Sequence, residues 1–277
     1  MLGLEIVQVR PPGRPGAAAL DDVCSYLGDF LTENNIPWAH SINTCSSRSG
    51  RRILIGGHLL NEFSFLREGD IVVNTEPLME PKFRANTAYL EILSRGEYRV
   101  ADYGMANIRG LPAGIDAHWL QFPALRSFSK TVRSDKASVD FVFFGTINEA
   151  RQAKIEKIKA AGYSVRVLSG VYGSARDEEI LKARFALNLH YFASGIFESV
   201  RCMAAMRLGR PVVSQWVDME GVPKPFRGSV CFLSALDDRE LQSLSTNSCP
   251  LHGYGVDQYL SSSTSASYEA QLNFLTN

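Results

Sequence analysis

Short apolar runs recur along the chain. Each is followed by a polar or glycine-containing turn, and most turns lead into apolar residues spaced three or four apart. In the first half the runs are Leu4–Val9, Ile53–Ile55, Ile71–Asn74, Tyr98–Asp102 and His118–Phe122. In the second half they are Val139–Phe144, Val165–Leu168, Phe185–Leu189, the segment from Val212, and Ser229–Leu233. All are of strand length and too short for buried helices. Between them, Ala17–Asn35 carries Leu20, Val23, Leu27, Phe30 and Leu31 at helical spacing, and Phe83–Arg95 and Glu149–Ala161 read as helices too. Shorter helices are predicted at Asp177–Lys182 and Asp237–Ser243, and a serine-interrupted amphipathic stretch at Asp257–Phe274. Strands alternating with helices predict α/β domains with largely parallel sheets. Residues 124–137 are polar, basic and without period, which predicts domains at 1–125 and 138–277 joined by a linker at 126–137.

The segment 183–214 concentrates the chemistry. It reads as strand, loop, helix, turn and strand, a βαβ unit. Apolar positions Ile196, Val200, Met203, Ala204 and Leu208 predict a helix from Ile196. Gly209 stands at the place of a C-cap and Pro211 stops continuation. Ligands of open α/β sheets bind beyond the carboxyl ends of the strands, where helix N-termini attract phosphate. Ser194 and Gly195 would present backbone N–H groups there. Glu198 falls in the first turn with Arg201 at i+3. By spacing alone the two are equally well an exposed ion pair, worth about 0.2–0.5 kcal/mol.

Other strand ends offer further candidates. Gly145 and Thr146 follow Val139–Phe144, and Asn148 suits a helix cap. Arg151 and Lys154 lie one turn apart on the next helix, as diphosphate contacts or as solvated charges. Tyr172, beside Gly173, could stack on a base or simply pack. His58 and Glu76 end strands in the first half and are the acid–base candidates there. Arg48, Arg51 and Arg52 read as part of a solvated polar loop over Cys45–Arg52, with contact to a phosphate as the alternative.

Composition narrows the classes. Over 277 residues, 29 Lys and Arg balance 29 Asp and Glu, so no basic surplus points to nucleic acid. The five cysteines, Cys24, Cys45, Cys202, Cys231 and Cys249, include no C-x-x-C pair and suggest neither a disulfide framework nor a zinc site. The start, Met-Leu-Gly-Leu-Glu-Ile, has no basic n-region, and no run is long enough to span a membrane, so a cytoplasmic protein is expected. The oligomeric state is left open.

Ser194-Gly195-Ile196-Phe197-Glu198-Ser199-Val200-Arg201, followed by Gly209-Arg210-Pro211-Val212-Val213-Ser214, resembles the C-terminal half of GT-B-type glycosyltransferases. The likeness is greatest to a bacterial group of small glycosyltransferase-like proteins. Phe143-Phe144-Gly145-Thr146-Ile147-Asn148 is similar to a strand-to-helix turn of that group. Gly170–Gly173, Leu187–His190, Asn74-Thr75-Glu76 and Tyr103–Asn107 are similar to other stretches of it. The resemblance spans about residues 50–235. It implies two Rossmann-like domains facing across a cleft, with the nucleotide-sugar donor on the C-terminal domain and the acceptor on the N-terminal one.

It also implies that Gly145, Thr146, Asn148, Ser194 and Gly195 hold the diphosphate. Tyr172 and Gly173 would border the base, and His190, Glu198, Ser199 and Arg201 would complete the donor site. Glu76 or His58 would be the base, and no metal or cofactor is called for. The implied partners are a nucleotide-sugar and a glycan, lipid-linked or small-molecule acceptor. The sequence departs from retaining GT-B enzymes, which often carry a second glutamate eight positions on; Met206 stands there, and Gln215 ends the second strand. A non-catalytic nucleotide- or glycan-binding protein of the same fold is the alternative, and a GT-B-shaped sugar-nucleotide epimerase a third.

Overall fold

The computed structural model describes residues 3–46, 50–60, 62–128, 137–192, 195–236, 238–244 and 254–277. Ser194, Arg48, Cys249 and the middle of the predicted linker lie outside the described residues. Contacts divide the chain into two units, Met1–Leu120 with Ala270–Asn277, and Gln121–Glu269.

The first unit is built on six parallel strands, β1 (Leu4–Gln8), β2 (Trp38–Ile42), β3 (Arg52–Ile55), β4 (Ile71–Asn74), β5 (Arg99–Asp102) and β6 (Ala117–Trp119). Their order is β2-β1-β3-β4-β5-β6. Every residue of β3 and β4 is buried, as apolar runs between two covering layers should be. Its helices are α1 (Asp21–Glu33), α2 (Pro81–Arg84), α3 (Thr87–Ser94) and α4 (Met105–Arg109). The continuous helix predicted over 83–95 is two helices. Asn86 interrupts it by accepting the Tyr89 N–H at 3.2 Å and so capping α3. A 3-10 helix, Pro15–Leu20, precedes α1, so the helix predicted over Ala17–Asn35 opens in 3-10 turns and becomes an α-helix only at Asp21.

The second unit has five parallel strands, β7 (Val139–Phe144), β8 (Val165–Leu168), β9 (Ala183–Asn188), β10 (Val212–Gln215) and β11 (Cys231–Leu233), ordered β11-β10-β9-β7-β8. Its helices are α5 (Glu149–Ala160), α6 (Gly173–Leu181), α7 (Ser199–Met206), α8 (Asp238–Ser243) and α9 (Tyr254–Leu260). A last helix, α10 (Ala266–Thr276), follows, and its residues from Ala270 on count with the first unit. There Gln271 Nε2 donates to the Tyr26 hydroxyl at 3.1 Å. Arg99 donates to the Phe274 carbonyl at 2.6 Å. The Phe274 ring stacks on His118 with centroids 4.7 Å apart. No described helix is long and apolar enough to cross a membrane.

Phe141, Phe143, Ile155, Ile158, Phe185 and Leu187 anchor the core of the second unit, and Val7, Leu54, Val72, Tyr89 and Val100 that of the first. In both sheets the first strand lies beside the third, with the second outside it. The chain therefore reverses its winding between β1 and β3 and again between β7 and β9. Such switch points open a crevice at the carboxyl ends of the strands.

Candidate functional site

The β7/β9 switch point is bridged by two arginines. Asn148 caps α5 by accepting the Arg151 N–H at 3.0 Å, and its amide donates to the Tyr191 carbonyl at 2.9 Å. The cap sets Arg151 on the buried face of α5 with Ile155 and Ile158. Arg151 is only 2% exposed. It donates to the Thr146 carbonyl after β7 at 2.7 Å, and to the Leu189 carbonyl after β9 at 2.9 Å through Nε and 2.7 Å through Nη2. Arg201, on α7, donates to the Phe144 carbonyl and to Asn188 Oδ1, both at 2.9 Å. Both guanidinium groups lie over the Phe143 ring.

Glu198 joins them. One carboxylate oxygen is 2.5 Å from Arg151 Nη2 and the other 2.5 Å from Arg201 Nη1. Burial lowers the Arg151 pKa to about 10, while the Glu198 charge opposes that shift, so the guanidinium stays charged at neutral pH. Lys154, one turn along α5, is half-buried, and its pKa is lowered first by burial and then by the Arg151 charge. Two arginines thus hold one carboxylate, with Lys154 within electrostatic reach of Arg151.

This corrects two expectations. Arg151 is not a solvated charge, and the Glu198–Arg201 pair is not a surface pair. The predicted helix from Ile196 begins at Ser199 instead, and Glu198 is its N-cap residue with φ −84° and no capping hydrogen bond, because its carboxylate is turned to the arginines. Gly195 is in the left-handed region, φ +61°, and lies in the loop before α7 rather than at a helix start. Ser199 is fully buried, and its hydroxyl has no partner among the described residues.

Gly145 has φ +138°, and a Cβ there would lie 2.9 Å from Arg201 Nη2, so only glycine lets the arginine pass so close. Thr146 is exposed beside it. His190 is buried between two backbone carbonyls, with Nδ1 3.2 Å from Ile196 O and Nε2 3.3 Å from Gln215 O. Burial lowers its pKa, and a neutral ring donates to only one of the two. Tyr172 and Gly173 start α6, earlier than the predicted helix: Tyr172 is the half-buried N-cap, and Gly173 is exposed with φ +61°. Arg151 is the residue the sequence reading undervalued. Its signal was its place in the 151, 155, 158 stripe, where an arginine must be paired to be buried.

In the first unit, His58 follows β3 and Glu76 follows β4. Burial, with smaller contributions from Lys82 and Arg14, holds the His58 pKa down at about 4. The neutral ring donates Nε2–H to Glu76 Oε1 at 3.2 Å, and its Nδ1 is buried without a partner among the described residues. Behind Glu76 is a polar group of Asn74, Asp102 and Asn107. Asn74 and Asn107 both donate to the Glu76 carbonyl, at 2.8 and 2.9 Å. Both also donate to Asp102, at 2.7 and 3.0 Å. Asp102 is fully buried, and burial pushes its carboxyl up to about 7 against three hydrogen bonds that favour the anion.

No protein-family model matches the chain. Among the solved structures similar to it are three glycosyltransferases. A glycosyltransferase involved in avilamycin A biosynthesis, AviGT4, superposes with TM-score 0.53 at 13% identity, covering 100% of this chain and 99% of its own. HepE of Anabaena, in complex with UDP and glucose, gives 0.52 at 12% identity over 98% and 95%. An alpha-glucosyltransferase in complex with UDP and a mismatched DNA gives 0.50 at 11% identity over 100% of each chain. The chain has the GT-B glycosyltransferase fold. At identities of 11–13% the GT-B likeness is one of architecture. In sequence, Uncharacterized protein L137 of Acanthamoeba polyphaga mimivirus is 27% identical over 150 residues. That stretch spans 52% of this chain but only 20% of that protein.

Proposed function

We propose that this chain is a glycosyltransferase that moves a sugar from a nucleotide-activated donor to an acceptor hydroxyl. The observation that carries the reading is Glu198, held between Arg151 and Arg201 across the β7/β9 switch point with Lys154 beside them. Arg151 is too buried to meet a ligand and serves to fix the carboxylate. Glu198, part-exposed, accepts hydrogen bonds from ribose or sugar hydroxyls. Lys154, Arg201 and the positive end of α7 face the diphosphate. Gly145, Thr146 and Gly195 let it approach the backbone, and Tyr172 and Gly173 border the base. Two of the similar structures hold UDP, which favours a uridine diphosphate donor.

In the first unit Glu76 is the base. His58 Nδ1 is closed off and its Nε2 is committed, so the ring orients Glu76 rather than reacting itself. The acceptor proton passes to Glu76, the acceptor oxygen bonds to the anomeric carbon, and the bond from that carbon to the diphosphate oxygen breaks. The cations of the second unit stabilise the charge left on the diphosphate. One similar structure holds DNA. With equal acids and bases this chain has no general surplus for a polyanion, and a glycan, lipid-linked or small-molecule acceptor fits better.

The test is thermal stability against UDP, GDP, CMP, TDP and ADP and their sugar conjugates. A ligand at one hundred times its dissociation constant adds about 2.7 kcal/mol to the folded state. The expected result is a rise with one diphosphate, UDP first, that is lost in Glu198→Gln. Inorganic pyrophosphate, which has no ribose, should bind Glu198→Gln at least as well as wild type, because the substitution removes a negative charge. Absence of any nucleotide shift overturns the donor site. A shift without transfer to any acceptor turns the reading to a binding protein.

A further inference from the structure

The Glu76 loop is fastened by its backbone, and the fastening converges on one buried carboxylate. Asn74 ends β4 and Asp102 ends the neighbouring β5, paired in register. Asn107 lies on α4. All three are at most 1% exposed. The two asparagine amides have four N–H bonds between them, and all four are used: two go to the Glu76 carbonyl and two to Asp102. Asn74 Oδ1 accepts the Glu76 N–H at 3.2 Å and the Tyr89 hydroxyl at 3.2 Å. Asn107 Oδ1 accepts the Leu78 N–H at 3.0 Å. Asp102 Oδ1 also accepts the Gly104 N–H at 2.7 Å.

Each amide can donate to both Asp102 and Glu76 only in one orientation. Asp102, which accepts and cannot donate when ionised, forces that orientation. Flipping either asparagine would set an oxygen against an oxygen at two places at once. The network therefore fixes the peptide of Glu76 on both sides, which aims its side chain at His58 Nε2. A carboxylate this deeply buried, with three neutral donors and no cation among its hydrogen-bond partners, costs stability. A core position with no task would be cheaper as an apolar residue.

We propose that Asp102, acting through Asn74 and Asn107, is the positioning residue for the Glu76 carboxylate. The inference rests on the reading of Glu76 as the base, but its geometric part does not need the reaction to be known. Asp102 touches no substrate. Its effect appears in where Glu76 points, and the His58 ring reports that direction.

The experiment is 15N NMR of the histidine rings at pH 7.5, with His58 assigned by His58→Gln. Wild type should show His58 held as the Nε2–H tautomer by Glu76, and Glu76→Gln should weaken that preference. Asp102→Asn places an amide donor against the amides of Asn74 and Asn107, and Tyr89→Phe removes only the hydroxyl from Asn74. The expected result is that Asp102→Asn loses the fixed tautomer while the remaining spectrum stays folded, and that Tyr89→Phe weakens it less. An unchanged His58 signature in folded Asp102→Asn overturns the proposal. So does a Tyr89→Phe variant more perturbed at His58 than Asp102→Asn. Should Asp102→Asn not fold, Asn107→Ser is the replacement, and an unchanged His58 signature there has the same force. Wild-type turnover in Glu76→Gln would instead defeat the base assignment and leave the positioning result standing.

Discussion

Arg151 Nη2 and Glu198 Oε1, forty-seven residues apart in the chain, meet at 2.5 Å beyond the carboxyl ends of β7 and β9. The contact joins a residue inside the core to one that solvent reaches. Arg151→Ala would leave the Thr146 and Leu189 carbonyls and the Glu198 carboxylate short of a donor. The expected loss is about 1–3 kcal/mol, the cost of leaving buried carbonyls without a donor, since Glu198 reaches solvent and keeps Arg201. Urea denaturation measures it, and a loss below about 1 kcal/mol would mean that water replaces the arginine readily.

Lys154 should behave in the opposite way. It shares the helix and the electrostatic neighbourhood of Arg151, yet none of the carbonyl bonds seen for Arg151 involves it. Lys154→Gln is expected to change stability by less than about 0.5 kcal/mol. It should weaken UDP or pyrophosphate binding by about tenfold, the effect of losing one charged hydrogen bond worth roughly 1.4 kcal/mol. Titration calorimetry of both variants separates the two roles, and equal affinities for wild type and Lys154→Gln would take the lysine out of the site.

Gly145→Ala tests how tightly the arginine lies against the β7 turn. The backbone there, at φ +138°, disfavours any side chain, and the new Cβ would crowd Arg201 Nη2 at 2.9 Å. Destabilisation of about 1–3 kcal/mol is expected, with a parallel loss of nucleotide binding as Arg201 is displaced from Glu198. A variant as stable as wild type would show that the turn relaxes without cost.

Asp102 gives the protein a pH dependence of unusual sign. Its carboxyl titrates at about 7 in the fold against 3.8 ordinarily. Between those values the folded chain holds a proton that the unfolded chain has released. Its contribution to stability therefore grows on acidification and is lost as pH rises towards 7. His58 and His118, held at about 4 against 6.5, act the other way and cost stability as pH falls from 6.5. Comparing wild type with Asp102→Asn cancels His118, and making the same comparison in a His58→Gln background removes His58 as well. The melting midpoint of wild type should rise relative to the variant between pH 8 and pH 5, and a constant difference would mean that Asp102 titrates in its ordinary range.

β4, β7 and β8 begin and end where the sequence pattern does, because β-branched and aromatic residues outweigh the single charged residue in β7 (Asp140) and in β8 (Arg166). β2 escaped it because Trp38–Ile42 is a largely exposed edge strand with no apolar run to read. The start of α7 was misplaced because Ile196 and Phe197 continue the helical spacing, whereas the attraction of Glu198 for two arginines from different elements is a long-range fact that no local pattern carries. The same holds for the first unit. His58 and Glu76 could be placed at strand ends, but their hydrogen bond and the Asn74–Asp102–Asn107 support depend on the register of β4 and β5 and on the position of α4.

The anchoring of Phe274 and Gln271 in the first unit bears on how the chain is made. Arg99, His118 and Tyr26 wait for partners that lie some 150 to 250 residues further along. On the ribosome, the six-stranded sheet can form long before those partners exist. It must then remain unfinished at that edge while the whole second unit is synthesised. Completion of the first unit is thereby tied to completion of the second. A chain released early would carry an open seam at Arg99 and His118, with Arg99 held by Asp116 alone and the His118 ring uncovered, available to chaperones or to proteases.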